Sequence, residues 1–287
     1  MNIDEKKLLI TGFEDLGKYS KESISVISRN LARNHKLAKS FGWTICHYDE
    51  NHGVKGTPSF LSEEFPQIPK VKFHQQHGWA ERSDFARIFA MLEGKDLGYD
   101  VMAWLDADVF IIDPELFFNR AYKEGLHAPE EPWFNQKEIK DFERFKKVKQ
   151  EQANGVLVSS GEKGIAMLTL MLEIMKFLGE YGEIEKRPWA QFGPKMLTRL
   201  NYLDYTIIND GKGAQIREKI TSVSPEIGLI MTNTISIDKY IEKYGLSRLF
   251  ANANIENCNF VNMTPSSVKD ISGIYEKLLA ISNKNEK

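Results

Sequence analysis

Two aspartates, Asp106 and Asp108, interrupt an apolar run that extends from Val101 to Ile112. In an extended strand, residues two apart face the same side of the sheet. Two like charges held that way repel, and burying even one unpaired carboxylate is costly. A divalent cation is the general remedy. Mg2+ and Mn2+ are held by one or two carboxylates, with substrate phosphates and waters completing the shell. The Asp-x-Asp pair therefore reads as a place where a metal meets a phosphorylated ligand. The plainer alternative is a turn, since Asp-x-Asp is common by chance; the surrounding apolar strand favours the metal.

Other residues with chemistry to offer lie nearby in the chain. Asp84 and Arg87 are three apart on one helix, off its apolar stripe, where they would make a surface ion pair of little worth. Arg87 also suits a phosphate, because its guanidinium fork bonds two oxygens at once, and Ser83 stands beside it. Glu130, Glu131 and Trp133 form an acidic-aromatic loop. A ring there would stack on a sugar, and a carboxylate would bond hydroxyls or take a proton; a solvated loop is the alternative. Trp189 and Gln191 precede Gly193-Pro194 at a helix start. His74 and His77 are read as surface residues of a polar loop, with no third ligand at metal spacing. Cys46 and Cys258 make neither a disulfide framework nor a zinc site by themselves.

Strands and helices alternate around these groups. A strand is predicted from Lys7 to Phe13. A helix opens at Ser20, with Ile24, Ile27, Leu31 and Ala38 at helical spacing and Gly42 ending it. Trp43 to Tyr48 reads as the next strand. Asp49 to Gly78 reads as loop, broken by glycines and prolines. Glu81 to Gly94 is a helix with Phe85, Ile88, Phe89 and Leu92 as its buried stripe. Tyr99 to Ile112 is a strand with a bend or loop inside it, followed by a short helix capped by Asp113 and begun by Pro114. A charged amphipathic helix is predicted over Asn135 to Glu151, a strand over Gly155 to Ser159 and a helix over Lys163 to Leu178. Another helix starts near Pro194, and a last one runs from about Ser266 to Ile281. This alternation implies an α/β fold, a mainly parallel central sheet covered by helices, in which ligands sit beyond the carboxyl ends of the strands.

Composition sets the class. The chain has 287 residues, 38 basic and 40 acidic, so a net charge of −2, with 42% apolar residues. Such balance argues against a protein built to grip nucleic acid. No segment is long and apolar enough to suggest a membrane span. The first residues lack a basic region followed by an apolar one, so a cytoplasmic protein is expected. The Lys137–Lys149 segment, with Ile139, Phe142, Phe145 and Val148 among lysines, would suit a peripheral contact with an anionic membrane, although such patterns are usually a solvated helix face.

Trp104-Leu105-Asp106-Ala107-Asp108-Val109 resembles the D-x-D strand of GT-A glycosyltransferases. Glu81-Arg82-Ser83-Asp84-Phe85-Ala86-Arg87-Ile88 resembles the Ser-Asp-x-x-Arg helix of the family described as "glycosyltransferase sugar-binding region containing DXD motif". Phe192-Gly193-Pro194-Lys195-Met196-Leu197-Thr198 is similar to that family's Gly-Pro-x-x-Leu-Thr segment, and Asn154-Gly155-Val156 to its Asn before a buried strand. The matches run from Trp79 to Thr198. The segment before the pair, Gly98 to Trp104, departs from the family's Gly-Gly-x-Tyr pattern. No His follows His127, so the late His that many relatives give the metal is missing; Asn252, Asn254, Asn257 or waters are the alternatives.

The resemblance implies a single GT-A domain over 1–287, with 1–125 mainly binding a nucleotide-sugar and 126–287 mainly the acceptor. It implies a Mn2+- or Mg2+-dependent transfer of a hexose from a nucleoside-diphosphate sugar, UDP favoured over GDP, to a glycan or lipid-linked glycan, with retention. Asp106 and Asp108 would hold the metal. The donor would meet Thr11, Phe13, Ser83, Asp84, Arg87, Asp106, Ala107 and Asp108, with Tyr19 a further ring near the nucleobase. Gln191 would join the two aspartates at the reacting sugar, and Glu130, Trp133 and Trp189 would meet the acceptor. Two rivals remain: an inactive sugar-nucleotide or carbohydrate-binding domain, and a haloacid-dehalogenase-like phosphatase, for which the late acidic cluster is absent.

Overall fold

The computed structural model describes residues 5–13, 17, 19–48, 71–74, 78–128, 130–133, 149–152, 155–184, 191–193, 196–197, 260–263 and 271–285. In chain order the elements are β1 (Lys7–Gly12), α1 (Lys21–Ser40), β2 (Thr44–Tyr48), α2 (Gly78–Asp96), β3 (Val101–Asp106), β4 (Val109–Ile111), α3 (Pro114–Phe118), β5 (Gly125–His127), β6 (Glu130–Trp133), β7 (Lys149–Gln152), β8 (Val156–Ser160), α4 (Gly161–Tyr181), β9 (Phe260–Asn262) and α5 (Ile271–Asn285).

Five strands form the central sheet, in the order β2-β1-β3-β8-β5. β1 runs parallel to β2 and to β3, whereas β8 is antiparallel to both of its neighbours. The sheet is therefore mostly parallel, with β8 the one reversed strand. Its apolar residues alternate between two covered faces, as a sheet packed on both sides requires. Leu8, Ile10, Met102, Trp104 and Leu157 join Phe85, Met91, Leu168 and Met175 on the α2 and α4 side. Leu9, Ala103, Leu105, Val156 and Val158 join Ala38, Phe117 and Phe118 on the α1 and α3 side. β4 pairs with β9, and β6 with β7, outside this sheet. Among the described residues, no helix is long and apolar enough to cross a membrane.

Local chemistry sets the helix ends. The Ser20 hydroxyl accepts the Ser23 N–H at 3.0 Å and caps α1, and the Asp113 carboxylate accepts the Leu116 N–H at 2.9 Å and caps α3. Gly42 ends α1 at φ +79°, a conformation open to glycine. The buried face of α1 is rotated from the expected stripe: Ile24 and Leu31 are only half-buried, while Asn30 and Asn34 are fully enclosed.

Three expectations need correction. Glu130–Trp133 is a strand, not a loop: it pairs with β7, Glu130 opposite Gln152 and Trp133 opposite Lys149. The helix expected to end at Glu151 does not, because Lys149, Gln150 and Glu151 belong to β7; 134–148 lie outside the described residues. Cross-strand pairing here outweighs the weak helical preference of the charged residues. His74 is not a surface residue. It is buried, and its backbone N–H donates to Glu81 Oε2 at 2.8 Å; His77 lies outside the described residues. Of the helix expected near Pro194, one turn is described, closed by the Leu197 N–H on the Gly193 carbonyl at 3.1 Å.

α4 packs so closely on the sheet that glycine is required at its start. A Cβ at Gly164 would stand 2.5 Å from Ser159 Oγ and 2.6 Å from the Gly125 carbonyl oxygen, and the carbonyl is backbone that cannot swing away. Gly164→Ala is therefore expected to destabilise the fold by about 1–3 kcal/mol through overpacking, against the gain of about 1 kcal/mol usual for Gly→Ala inside a helix. Urea unfolding of the two proteins measures the sign.

Candidate active site at the carboxyl end of the central strands

β3 ends at Asp106, opposite Gly12 at the end of the parallel strand β1. The chain then turns at Ala107-Asp108 and re-enters strand at Val109. The bend expected inside the Tyr99–Ile112 strand thus falls between the aspartates, which do not share one face of a continuous strand. Asp106 closes the strand, and Asp108 sits in the turn beyond it. The break is sharp because β4 leaves the central sheet to pair with β9.

Asp106 points to the α2 side and is held before any ligand is considered. The Arg87 guanidinium reaches it through Nε and Nη2, with Nη2 2.9 Å from Oδ2 and 3.1 Å from Oδ1. The Trp104 indole N–H donates to Oδ1 at 2.6 Å. Arg87 also donates through Nη1 to Asp84 on the preceding turn of α2. The expected surface pair is therefore a buried one: Asp84 and Arg87 are 7% and 9% exposed. Gly155 completes the wall. Its carbonyl accepts the Asp106 N–H at 2.8 Å, and a Cβ on it would stand 3.2 Å from Asp106 Oδ2.

This small volume is over-supplied with negative charge. Asp84, Asp106 and Asp108 all act on the one guanidinium of Arg87. Burial would push the Arg87 guanidinium down, but Asp106 and then Asp84 outweigh it and hold the group above its ordinary value. Asp108 is the loser. Burial first, and the Asp106 charge second, push its carboxyl up to about 7, against the opposing pull of its own backbone and of Arg87.

The turn itself is gripped from three sides. Asn30 Nδ2 donates to the Ala107 carbonyl at 2.9 Å and to the Val109 carbonyl at 2.8 Å. Asn34 Nδ2 donates to the Val109 carbonyl at 2.9 Å, and the Met263 N–H to the Asp108 carbonyl at 2.7 Å. Sequence reasoning missed these residues. The available signal was two amides four apart in line with the apolar positions Val26, Ile27 and Ala38 of a largely polar helix.

The remaining expected residues are spread around this cluster. Ser83 is half-buried on α2. Gln191 is buried next to Phe192, whose ring packs edge-on against Phe85 at 5.5 Å. Phe13 and Tyr19 lie together after β1, ring centroids 5.6 Å apart. Thr11 is on the other face of the sheet, where its hydroxyl meets His35 Nε2 at 2.7 Å and His47 Nδ1 at 3.2 Å. Glu130 and Trp133 lie on β6. Trp189, Asn154, Asn252, Asn254 and Asn257 are outside the described residues. Among the described residues, no group of three or more His, Cys, Asp or Glu side chains could hold a metal together.

No protein-family model and no curated protein matches the sequence. The solved structures that match the chain include glycosyltransferases. One is a glycosyltransferase involved in the glycosylation of the major capsid of PBCV-1: 14% identity, TM-score 0.44, the match covering 96% of this chain and 99% of that one. Another is GlyE of Streptococcus pneumoniae TIGR4, with 13% identity and TM-score 0.42 over 98% of this chain and 63% of that one. A third is a Drosophila β1,4-galactosyltransferase 7 mutant in complex with manganese, UDP-Gal and xylobiose, with 14% identity and TM-score 0.27 over 55% of this chain and 50% of that one. Likenesses this distant say nothing about the reaction, which has to be read from the side chains.

Two outcomes follow from the crowded charge. Arg87→Met removes the guanidinium that holds buried Asp84 and half-buried Asp106 and is expected to cost about 3–5 kcal/mol in denaturant unfolding. In chelator, Asp108 binds a proton in the folded state at pH values where the unfolded chain has released it, between its ordinary 3.8 and about 7. The stability this contributes is present below that window and lost as pH rises through it. Metal-free protein should thus melt lower at pH 8 than at pH 6, and Asp108→Asn should reduce the difference.

Proposed function

We propose that this chain is a metal-dependent glycosyltransferase of the GT-A fold, moving a hexose from a nucleoside-diphosphate sugar, UDP preferred to GDP, to a glycan or lipid-linked glycan with retention. One observation carries the reading: two partly buried carboxylates crowd the carboxyl end of a parallel strand beside a single guanidinium, and one of them is pushed to a pKa of about 7. A hard dication fits such a donor set, with phosphate oxygens and water filling the rest of its shell. Asp106 and Asp108 would hold Mn2+ or Mg2+. Bound there, the ion would supply Lewis-acid stabilisation of the negative charge that grows on a departing diphosphate.

The chain's own residues do the positioning. Arg87 and Trp104 fix the Asp106 carboxylate in advance, so little reorganisation is needed when a ligand arrives. Asp84 holds Arg87 from its other side. In this reading Arg87 meets sugar or diphosphate, Asp84 and Ser83 meet donor hydroxyls, and Thr11, Phe13, Tyr19 and Ala107 belong to the donor's surroundings. Gln191 serves the reacting sugar, and Glu130, Trp133 and Trp189 the acceptor. The two halves, 1–125 and 126–287, divide mainly into donor and acceptor sides of one domain acting in the cytoplasm, where the Lys137–Lys149 segment could touch a membrane carrying the acceptor.

The test is release of nucleotide from a panel of UDP- and GDP-sugars with Mn2+. Wild-type protein should release it only with the metal, and Asp108→Ala should lose at least about a hundredfold. Full metal-dependent release by Asp108→Ala would sink the reading. Binding of donor with no turnover on any acceptor would favour the inactive binding domain.

A further inference from the structure

We propose that Asn30 and Asn34 are positioning residues for the candidate metal site, holding the Ala107–Val109 turn so that Asp108 stays beside Asp106. The proposal rests on the metal reading above and extends it to α1, on the opposite face of the sheet from Arg87.

Asparagine is a poor choice for the inside of a helix. It lowers helix propensity, and buried leucine would fill the same space better. Both amides nevertheless stand on the inner face of α1 at 0% exposure. Their nitrogens face only carbonyl oxygens: Asn30 Nδ2 spans the carbonyls of Ala107 and Val109, one on either side of Asp108, and Asn34 adds a second donor to Val109. That leaves both Oδ1 atoms buried with no hydrogen-bond partner among the described residues. Two unsatisfied acceptors are a standing cost. It is borne at the one place where the backbone turns between the two aspartates.

Such a clamp answers a physical need. Asp106 is tethered by Arg87 and Trp104, while Asp108 is desolvated and repelled by Asp106. A free turn would relieve that repulsion by swinging the Asp108 carboxylate outward. Three consecutive carbonyls, of Ala107, Asp108 and Val109, are each held by a donor, two of them by the asparagines. The turn therefore cannot rotate without breaking hydrogen bonds that have no water to replace them. Loss of groups that orient metal ligands generally costs about 10–100-fold in metal affinity. The two residues should differ. Asn30→Ala removes both of its bonds and strips Ala107 of its Asn30 donor, whereas after Asn34→Ala the Val109 carbonyl keeps Asn30.

The experiment is titration of full-length protein with Mn2+, alone and with UDP, read by the EPR signal of free Mn2+, with a melting curve for each protein. Asn30→Ala is expected to weaken Mn2+ binding by about tenfold or more and Asn34→Ala by less. Trp43→Phe is the control. It deletes another buried bond to backbone on the same side of the sheet, Trp43 Nε1 to the Phe118 carbonyl at 2.9 Å, and should lower the melting temperature with Mn2+ affinity unchanged. If Asn30→Ala binds Mn2+ as wild type does while melting lower, the asparagines only support the fold and the proposal is wrong. If Asn30→Ala yields no folded protein, Asn34→Ala decides: unchanged affinity overturns the proposal and a loss of about threefold or more upholds it. If wild-type protein itself binds no Mn2+, the metal reading has failed first, and that result is distinguishable from failure of the clamp.

Discussion

The cost of crowding carboxylates where water is scarce governs this structure. Asp106 and Asp108 sit at the carboxyl end of the central strand of a sheet whose two faces are covered, and Asp84 stands on α2, bonded to the same Arg87. One guanidinium cannot balance three carboxylates. The fold answers with fixed donors: the Trp104 indole on Asp106, and Arg87 between Asp106 and Asp84. What remains unbalanced is concentrated on Asp108, the residue in the turn. On the reading proposed above, a dication would supply the positive charge that this corner lacks.

Much of this was legible in the sequence. Alternating strands and helices gave the α/β sheet, and Ser20 and Asp113 gave two helix starts through side-chain capping that depends on neighbours three residues away. The apolar run around Asp106 and Asp108 marked the proposed site, because carboxylates inside such a run are costly without compensation. What failed depended on partners distant in the chain. β6 was read as a loop because its partner, β7, carried a charge pattern resembling a helix. Asp84 and Arg87 looked like surface residues because α2 was taken to bury one stripe, whereas it is buried on nearly all sides. His74 looked exposed for lack of any local sign that Glu81 would hold its backbone. The bend expected inside the Tyr99–Ile112 strand falls at Ala107-Asp108, but the pairing that draws β4 off, with β9 some 150 residues further on, left no local sign.

The two faces of the sheet divide the work around the turn. On the α2 face, charged groups fix the Asp106 side chain. On the α1 face, neutral amides fix the backbone that carries Asp108, and the Thr11 hydroxyl is taken up by His35 and His47. Burial, followed by the charge of His47, pushes the His35 ring down from its ordinary value. Side-chain charge and backbone shape are thus controlled from opposite directions, and a substitution in one layer need not disturb the other.

The Met263 N–H on the Asp108 carbonyl, together with the β4–β9 pairing, has a consequence for biosynthesis. During translation the central strands emerge first and can collapse upon α1 and α2, yet the loop between the aspartates has no such closure until the segment around Met263 has cleared the ribosome. A nascent chain would carry most of the central sheet before the turn that follows β3 is closed.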